Sequence, residues 1–301
     1  MRVEGRSGGL AQARAVARAR GRPSTLTFPL TTILWHVPMA FFAVVLLTPF
    51  AWMISTSLKE EGREFELPLQ LIPYPAVWSN YPTAMTTLPF PLYFENTLIV
   101  TLGALTGTLV TGSMAAYAFA RLRFPGRSVM FTLLLSTLML PDAVTLIPKF
   151  IIFRNLGWIN TLQPLWVPWW FGGGAFNVFL LRQFLMTLPH DLDEAARIDG
   201  ASSWQIYARV LMPLARPALI TVAIFSFIRT WNDFLEPLIY LHDEKLRTLA
   251  LGLRGFQDLY KTDWTLLMAA STVIILPVLA LFFAAQRYFI RGIHLTGLAG
   301  R

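Results

Sequence analysis

The chain has 301 residues, 55% of them hydrophobic and only 14% charged, with a mean hydropathy of +0.53. Few soluble domains are so apolar, and the charges cluster between apolar runs, the profile of a polytopic α-helical membrane protein. The absence of cysteine excludes disulfide staples, thiolate catalysis and cysteine metal sites; the net charge of +8 does not signal nucleic acid, because no basic stripe with interleaved aromatics stands apart from the spans.

Residues 1–30 are rich in Arg, Ala and Gly. They read as a disordered cytoplasmic basic tail touching anionic lipid, with a mitochondrial transit peptide as the other reading. Residues 31–292 read as one all-α membrane domain with six spans, near 31–55, 95–119, 128–151, 162–185, 213–239 and 265–288. The first span does not read as a cleaved signal peptide: its apolar run exceeds the usual h-region, and Ser55–Lys59 offers no clear small-x-small cleavage site. Between about 57 and 94, Pro68, Pro73, Pro75, Pro82, Pro89 and Pro91 predict an irregular external loop with a short helix. Residues 293–301 read as a C-terminal tail. Roughly twice as many Lys and Arg fall on the side of both termini as on the other. The positive-inside rule therefore puts both termini, and the loop around Glu194, in the cytoplasm of a multi-pass plasma-membrane protein.

That loop, Asp191-Leu-Asp-Glu-Ala-Ala-Arg-Ile-Asp-Gly200, is a polar island between two apolar stretches. Asp191 is placed to cap a short helix, with Glu194 three residues on reaching back. Gly200 suits the left-handed residue that ends it. Ser202 and Gln205 repeat the capping pattern for a second helix, which runs into Pro213. A helix-turn-helix in a membrane protein's loop is a docking surface for something soluble; the plainer reading is an ordinary capped hairpin.

Glu194-Ala195-Ala196, then Gly200, then Val210-Leu-Met-Pro213 resembles the EAA loop of ABC importer permeases, with Val210 and Met212 where the family prefers Ile and Leu. Ala116–Gly126, Trp231–Leu238 and Gln286–Gly292 resemble further phrases of sugar permeases of the carbohydrate-uptake type, notably the six-span maltose-type subunit. The resemblance covers roughly residues 35 to 300. It implies a coupling helix that enters a cleft on an ATPase subunit, with Glu194, Ala195, Ala196, Asp199 and Gly200 as the coupling residues. Ala195 and Ala196 are small enough for close approach, and Glu194 can pair with a cation across the interface. It also implies a second homologous permease subunit, two ATPase subunits, an extracytoplasmic sugar-binding protein and a sugar substrate in the lipid bilayer. ATP and Mg would be bound by the partner ATPase, and no cofactor by this chain.

Residues that could line a substrate path follow. Asp142, beside Pro141, either faces a cavity within the third span or sits at the interface where that span ends early. Gly172-Gly173-Gly174 should loosen the fourth span, either at a path with Asn177 as a sugar-hydroxyl partner or through close helix packing. Trp166, Trp169 and Trp170 suit sugar stacking or an interfacial belt. Arg229, Asn232, Asp233 and Glu236 suit contact with sugar or binding protein, or an internal charge network. Four scattered histidines give no His-x-x-x-His pair, and no P-loop or Gly-x-Ser-x-Gly elbow appears. An ion-coupled secondary transporter needs midplane carboxylates and repeat symmetry, of which the chain offers few and none clear. An intramembrane enzyme would need convergent catalytic side chains.

Overall fold

The computed structural model describes residues 30–68, 70–257 and 262–297. The described residues are mostly helical, and Gln257 and Thr262 form an isolated bridge rather than a strand. The basic tail lies outside them, as do residues 298–301. The chain divides into two units, 1–52 and 53–301. The described part of the first is helix α1, Leu30–Ser57, up to Trp52.

In the second unit the proline-rich segment before α3 carries one short helix, α2 (Asn80–Thr87), as its composition predicts. Helix α3 (Phe90–Arg121) has 32 residues, about 48 Å at the standard rise. Three of its threonines satisfy their hydroxyls within the helix: Thr97, Thr106 and Thr111 each donate to the carbonyl four residues back. Helix α4 (Arg127–Ser136) tightens into a 3₁₀ turn through Met139, and α5 (Asp142–Asn155) leaves it at 104°. Pro141 explains the bend: the residue before a proline is pushed out of the helical region, and Leu140 is extended at ψ 121°.

Helix α6 (Gln163–Trp166) continues as a 3₁₀ turn, Val167–Trp170, before Gly172, Gly173 and Gly174 break the path; α7 (Ala175–Thr187) resumes it. Then come α8 (Asp191–Ile198) and α9 (Ser203–Leu214), whose middle, Ile206–Leu211, is wound as a wider π turn ahead of Pro213. Helix α10 (Arg216–Trp231) departs from α9 at 78°. The short helices α11 (Leu235–Tyr240) and α12 (Leu249–Gly252) follow, and α13 (Trp264–Gly297) closes the described chain.

Against the six expected spans, three helices among the described residues are long and apolar enough to cross a membrane by themselves: α1 over Leu34–Ser57, α3, and α13 over Trp264–Gln286. Counting each bent pair, α4 with α5 and α9 with α10, as one span gives up to five. The segments 128–151 and 213–239 are therefore broken rather than straight. The segment 162–185 is interrupted at its glycines. The backbone at 293–297, expected as tail, is still helix α13.

Helix α3 organises the core. Ala116 and Tyr117 join Leu181, Leu185, Ile206, Leu211 and Val222 in one buried cluster with α7, α9 and α10. Phe90 and Tyr93 at its other end join Trp231, Leu249, Ala269 and Ala270 in a second.

Candidate functional site

The hairpin α8–α9 is built as its spacing suggests at one end and differently at the other. Asp191 is not the cap. The helix starts one residue earlier, with the His190 carbonyl accepting from the Asp193 and Glu194 N–H groups at 2.9 and 3.2 Å. Asp191, Asp193 and Glu194 instead fill the first turn, where carboxylates meet the positive end of the helix dipole. The C-terminus is a Schellman motif: Gly200 has φ +80°, its N–H donates to Arg197 O at 3.0 Å, and the Ala201 N–H donates to Ala196 O at 2.9 Å. The second cap forms as expected. Gln205 N–H donates to Ser202 Oγ at 3.3 Å, and Ser202 N–H to Gln205 Oε1 at 2.8 Å. Ser202→Ala should cost about 1 kcal/mol. It is checked as a roughly fivefold faster amide exchange at Trp204 and Gln205, with the distant spans unchanged.

The faces of α8 divide its residues. Asp191, Glu194, Ala195 and Ile198 share the exposed face, and Ile198 is 86% exposed. Ala196 faces inward and, with Ala201, packs on the α3–α7–α9 core. The two alanines of the motif thus do different work. Asp199 and Gly200 are exposed at the reversal. Composition did not flag Ile198 or Trp204, which is 60% exposed and stacks on Tyr207 at 5.0 Å.

The hairpin is held from behind by residues that sequence reasoning missed. Asp193 is buried, and its Oδ2 lies 3.1 Å from Nη1 of Arg121, the last residue of α3. The Arg121 side chain is 1% exposed. Its Nη2 donates to the carbonyls of Leu185 and Leu188 at 2.8 and 2.7 Å, and Nη1 stands 2.7 Å from His190 Nδ1. A guanidinium only donates, so that ring nitrogen accepts. One turn back along α3, Tyr117 OH donates to Ser203 O at 3.1 Å, and two turns back Ser113 Oγ pairs with Tyr207 OH at 2.8 Å. Ser113, Tyr117 and Arg121 recur every four residues and so form one stripe. The signal was in the sequence as a periodicity of polar groups on an otherwise apolar span.

Further along α3 a second region opens. Cavities of about 480, 590 and 220 Å³ adjoin, sharing Lys149 and Arg229 as wall residues. Asp142 and Asn177 line the 590 Å³ space with Thr145 and Ser226, and Glu236 lines the other two. Lys149 Nζ lies 3.4 Å from Glu236 Oε1, tying α5 to α11. The Arg229 guanidinium sits 4.8 Å from the Trp169 ring centre, a cation–π arrangement. Asp233 Oδ1 accepts the Glu236 N–H at 3.3 Å.

Other expected path residues fall elsewhere. Asn177, although on the wall of the 590 Å³ space, spends its amide N–H on Gly173 O at 2.8 Å. Asn232 donates to Ile228 O at 2.8 Å within its own helix and lines none of these cavities. Gly173 packs against the α3 backbone at Gly112 and Thr108, and Gly174 is the glycine on the cavity wall. Of the three tryptophans expected here, Trp166 lies over Gly103, Trp170 donates to Gly103 O at 2.9 Å, and Trp169 faces the cavities, where Trp158 joins it. Among the described residues, no group of three or more His, Cys, Asp or Glu is placed to hold a metal ion.

Spanning helices, a cavity with charged residues on an otherwise largely apolar wall between bent ones, and an anchored surface hairpin are the features of a multi-pass membrane protein of the transport class. Residues 8–295 match the family described as the binding-protein-dependent transport system inner membrane component, so the chain belongs to that family of permease subunits. It is 34% identical over 256 residues to the diacetylchitobiose uptake system permease protein NgcG of Streptomyces coelicolor, covering 84% of each chain. It is 32% identical over 274 residues to the trehalose/maltose transport system permease protein MalG of Thermococcus litoralis, covering 90% of this chain and 98% of that one. The fold matches a chain from the crystal structure of a bacterial ABC transporter involved in the import of the acidic polysaccharide alginate. There the TM-score is 0.77 at 25% identity, over 89% of this chain and 99% of that one. Membership in a permease family disfavours the ion-coupled alternative.

Proposed function

We propose that this chain is the transmembrane permease subunit of an ATP-driven ABC importer for sugars or oligosaccharides. The observation that carries this reading is an α8 face, Glu194, Ala195 and Ile198, left open to solvent on a helix whose opposite face is bonded into the bundle. A loop that served only to connect two spans has no use for an 86% exposed isoleucine beside a buried ion pair. The permease names of the relatives support the same assignment.

In the working complex this chain pairs with a second homologous permease. Two ATPase subunits, which bind ATP and Mg, dock on the α8 faces from the cytoplasm. An extracytoplasmic binding protein delivers sugar. Six crossings put both termini in the cytoplasm, with α6 and α7 together forming the fourth. Closure of the ATPases pushes the Glu194–Gly200 helix, and the bundle opens outward by rigid-body movement. Asp142, Asn177 and Glu236 line the path that the sugar meets in this subunit.

Purification of the tagged chain in mild detergent tests the assembly. Native mass spectrometry should find one related permease and two ATPase copies per chain. Liposomes carrying that assembly, supplied with the binding protein, should accumulate sugar only with ATP. Accumulation by the chain alone, driven by an ion gradient, would contradict the reading.

A further inference from the structure

We infer that Arg121 is a positioning residue: its guanidinium is the joint through which movement of the α8–α9 hairpin is delivered to α3. The inference rests on the coupling role proposed above and assigns its mechanical path.

One side chain bonds three elements at once. Arg121 ends α3, reaches the start of α8 through Asp193 and His190, and closes the end of α7 through the Leu185 and Leu188 carbonyls. Arginine suits this task because its planar fork donates in several fixed directions, whereas a lysine ammonium on a flexible stem cannot hold that geometry. The Arg121 and Asp193 side chains are closed to water, so their bond is directional and hard to exchange for solvent. Ser113 and Tyr117 add two further bonds on the same stripe, to Tyr207 and Ser203 of α9. The hairpin therefore does not hang from the two chain segments that enter it; it is pinned along the last turns of α3.

Helix α3 in turn carries the cavity wall. Trp166 and Trp170 of the α6 segment sit on Gly103 and Gly107, and Gly173 sits on Gly112. From Gly103 to Arg121 is about 27 Å along the axis. A push on α8 at Arg121 thus turns a rigid rod whose far part holds the segment bearing Trp169, a cavity residue. The Leu185 and Leu188 bonds make α7, which bears Asn177, follow the same joint.

This chain has no native cysteine, so an engineered one, read on the band of this chain alone after separation of the labelled subunits, allows a test that does not depend on the identity of the sugar. The assembled transporter, with Thr145→Cys placed in the cavity wall, is put into liposomes. Labelling by a membrane-impermeant fluorescent maleimide is read with and without ATP and vanadate, beside phosphate release. In the Thr145→Cys background, trapping should change the labelling rate about fivefold or more. If it does not, the coupling reading fails, and this proposal with it. Adding Arg121→Lys should keep phosphate release per assembled transporter while the trapping-dependent change in labelling disappears. Asp193→Asn, nearly equal in volume, should give the same split in weaker form. If hydrolysis and labelling fall together, in proportion to lost assembly, Arg121 is merely structural and the proposal is overturned. Retention of the full labelling change in Arg121→Lys overturns it as well.

Discussion

Replacement of Gly200 by Asp is expected to abolish ATP-dependent uptake while the chain still inserts in the membrane and retains its helices. The backbone at Gly200 is left-handed, φ +80°, and its own N–H and that of Ala201 complete the Schellman turn that ends α8. A Cβ placed there meets nothing within 4 Å, so within this chain the cost is conformational and not steric. Left-handed backbone costs an ordinary L-residue about 1–2 kcal/mol, and Asp among the least because its short side chain bonds locally. That is too little to unfold a bundle of this size. The large effect must therefore arise outside the chain. A new carboxylate would stand next to Asp199 and on the same hairpin as Glu194 and Asp191, on a surface proposed to enter the ATPase cleft. Gly200→Asn and Gly200→Asp separate the contributions. Both place a similar volume at the same φ, but only Asp adds charge. Uptake below about one tenth of normal in the Asp form, with Asn well above it, assigns the loss to the docked surface. Equal loss in both would assign it to backbone strain or to bulk in the cleft. Normal uptake in the Asp form would argue against coupling through this loop.

What could be read from residues alone divides along physical lines. Gly200, Ser202 and Gln205 were legible because their signals are local: one backbone angle and one pair of hydrogen bonds, both decided within a few residues. The membrane class was legible from apolar length, which needs no tertiary information. Span continuity was not, because it depends on whether the bundle shelters a broken backbone. At Pro141 the segment expected as a span over 128–151 is bent by 104°, and the residue-before-proline rule marks Leu140 as the weak point. The Asp191 cap failed for a similar reason. Asp and His compete for the cap, and the Arg121 network, set by residues about 70 positions away, holds Asp193 and His190 in the register that settles it. Asp142, Asn177 and Glu236 were picked out as polar residues in apolar surroundings, and the fold gathers them around Lys149 and Arg229. Asn232 carried the same signal and faces away, since type and depth do not specify the side of a helix.

Gly173→Val is expected to be the most damaging single substitution in the interior, and its failure should appear as lost folding, not lost coupling. Three glycines in a row look interchangeable, but their surroundings are not. A Cβ at Gly172 meets nothing within 4 Å, whereas at Gly173 it falls 2.7 Å from Gly112 Cα, 2.8 Å from Thr108 O and 2.9 Å from Gly112 N. All three are backbone atoms of α3, so no side chain can swing aside. The left-handed φ of +70° adds its own penalty, and the two together amount to about 2–5 kcal/mol, comparable to a marginal domain's whole stability. Relief requires moving the α6–α7 segment away from α3, which also lifts Trp170 from its bond to Gly103 O and Trp169 from its stack under Arg229. Gly172→Val, with φ +100° and open space, bears the backbone penalty alone. The pair is compared by the fraction of chain recovered as assembled transporter in detergent and by its melting temperature. Gly172→Val should assemble with a modestly lowered melting temperature, while Gly173→Val should yield little assembled material. Similar yields for the two would show that the contact between Gly173 and α3 is not close enough to matter, and that α7 is free to shift without carrying α3 with it.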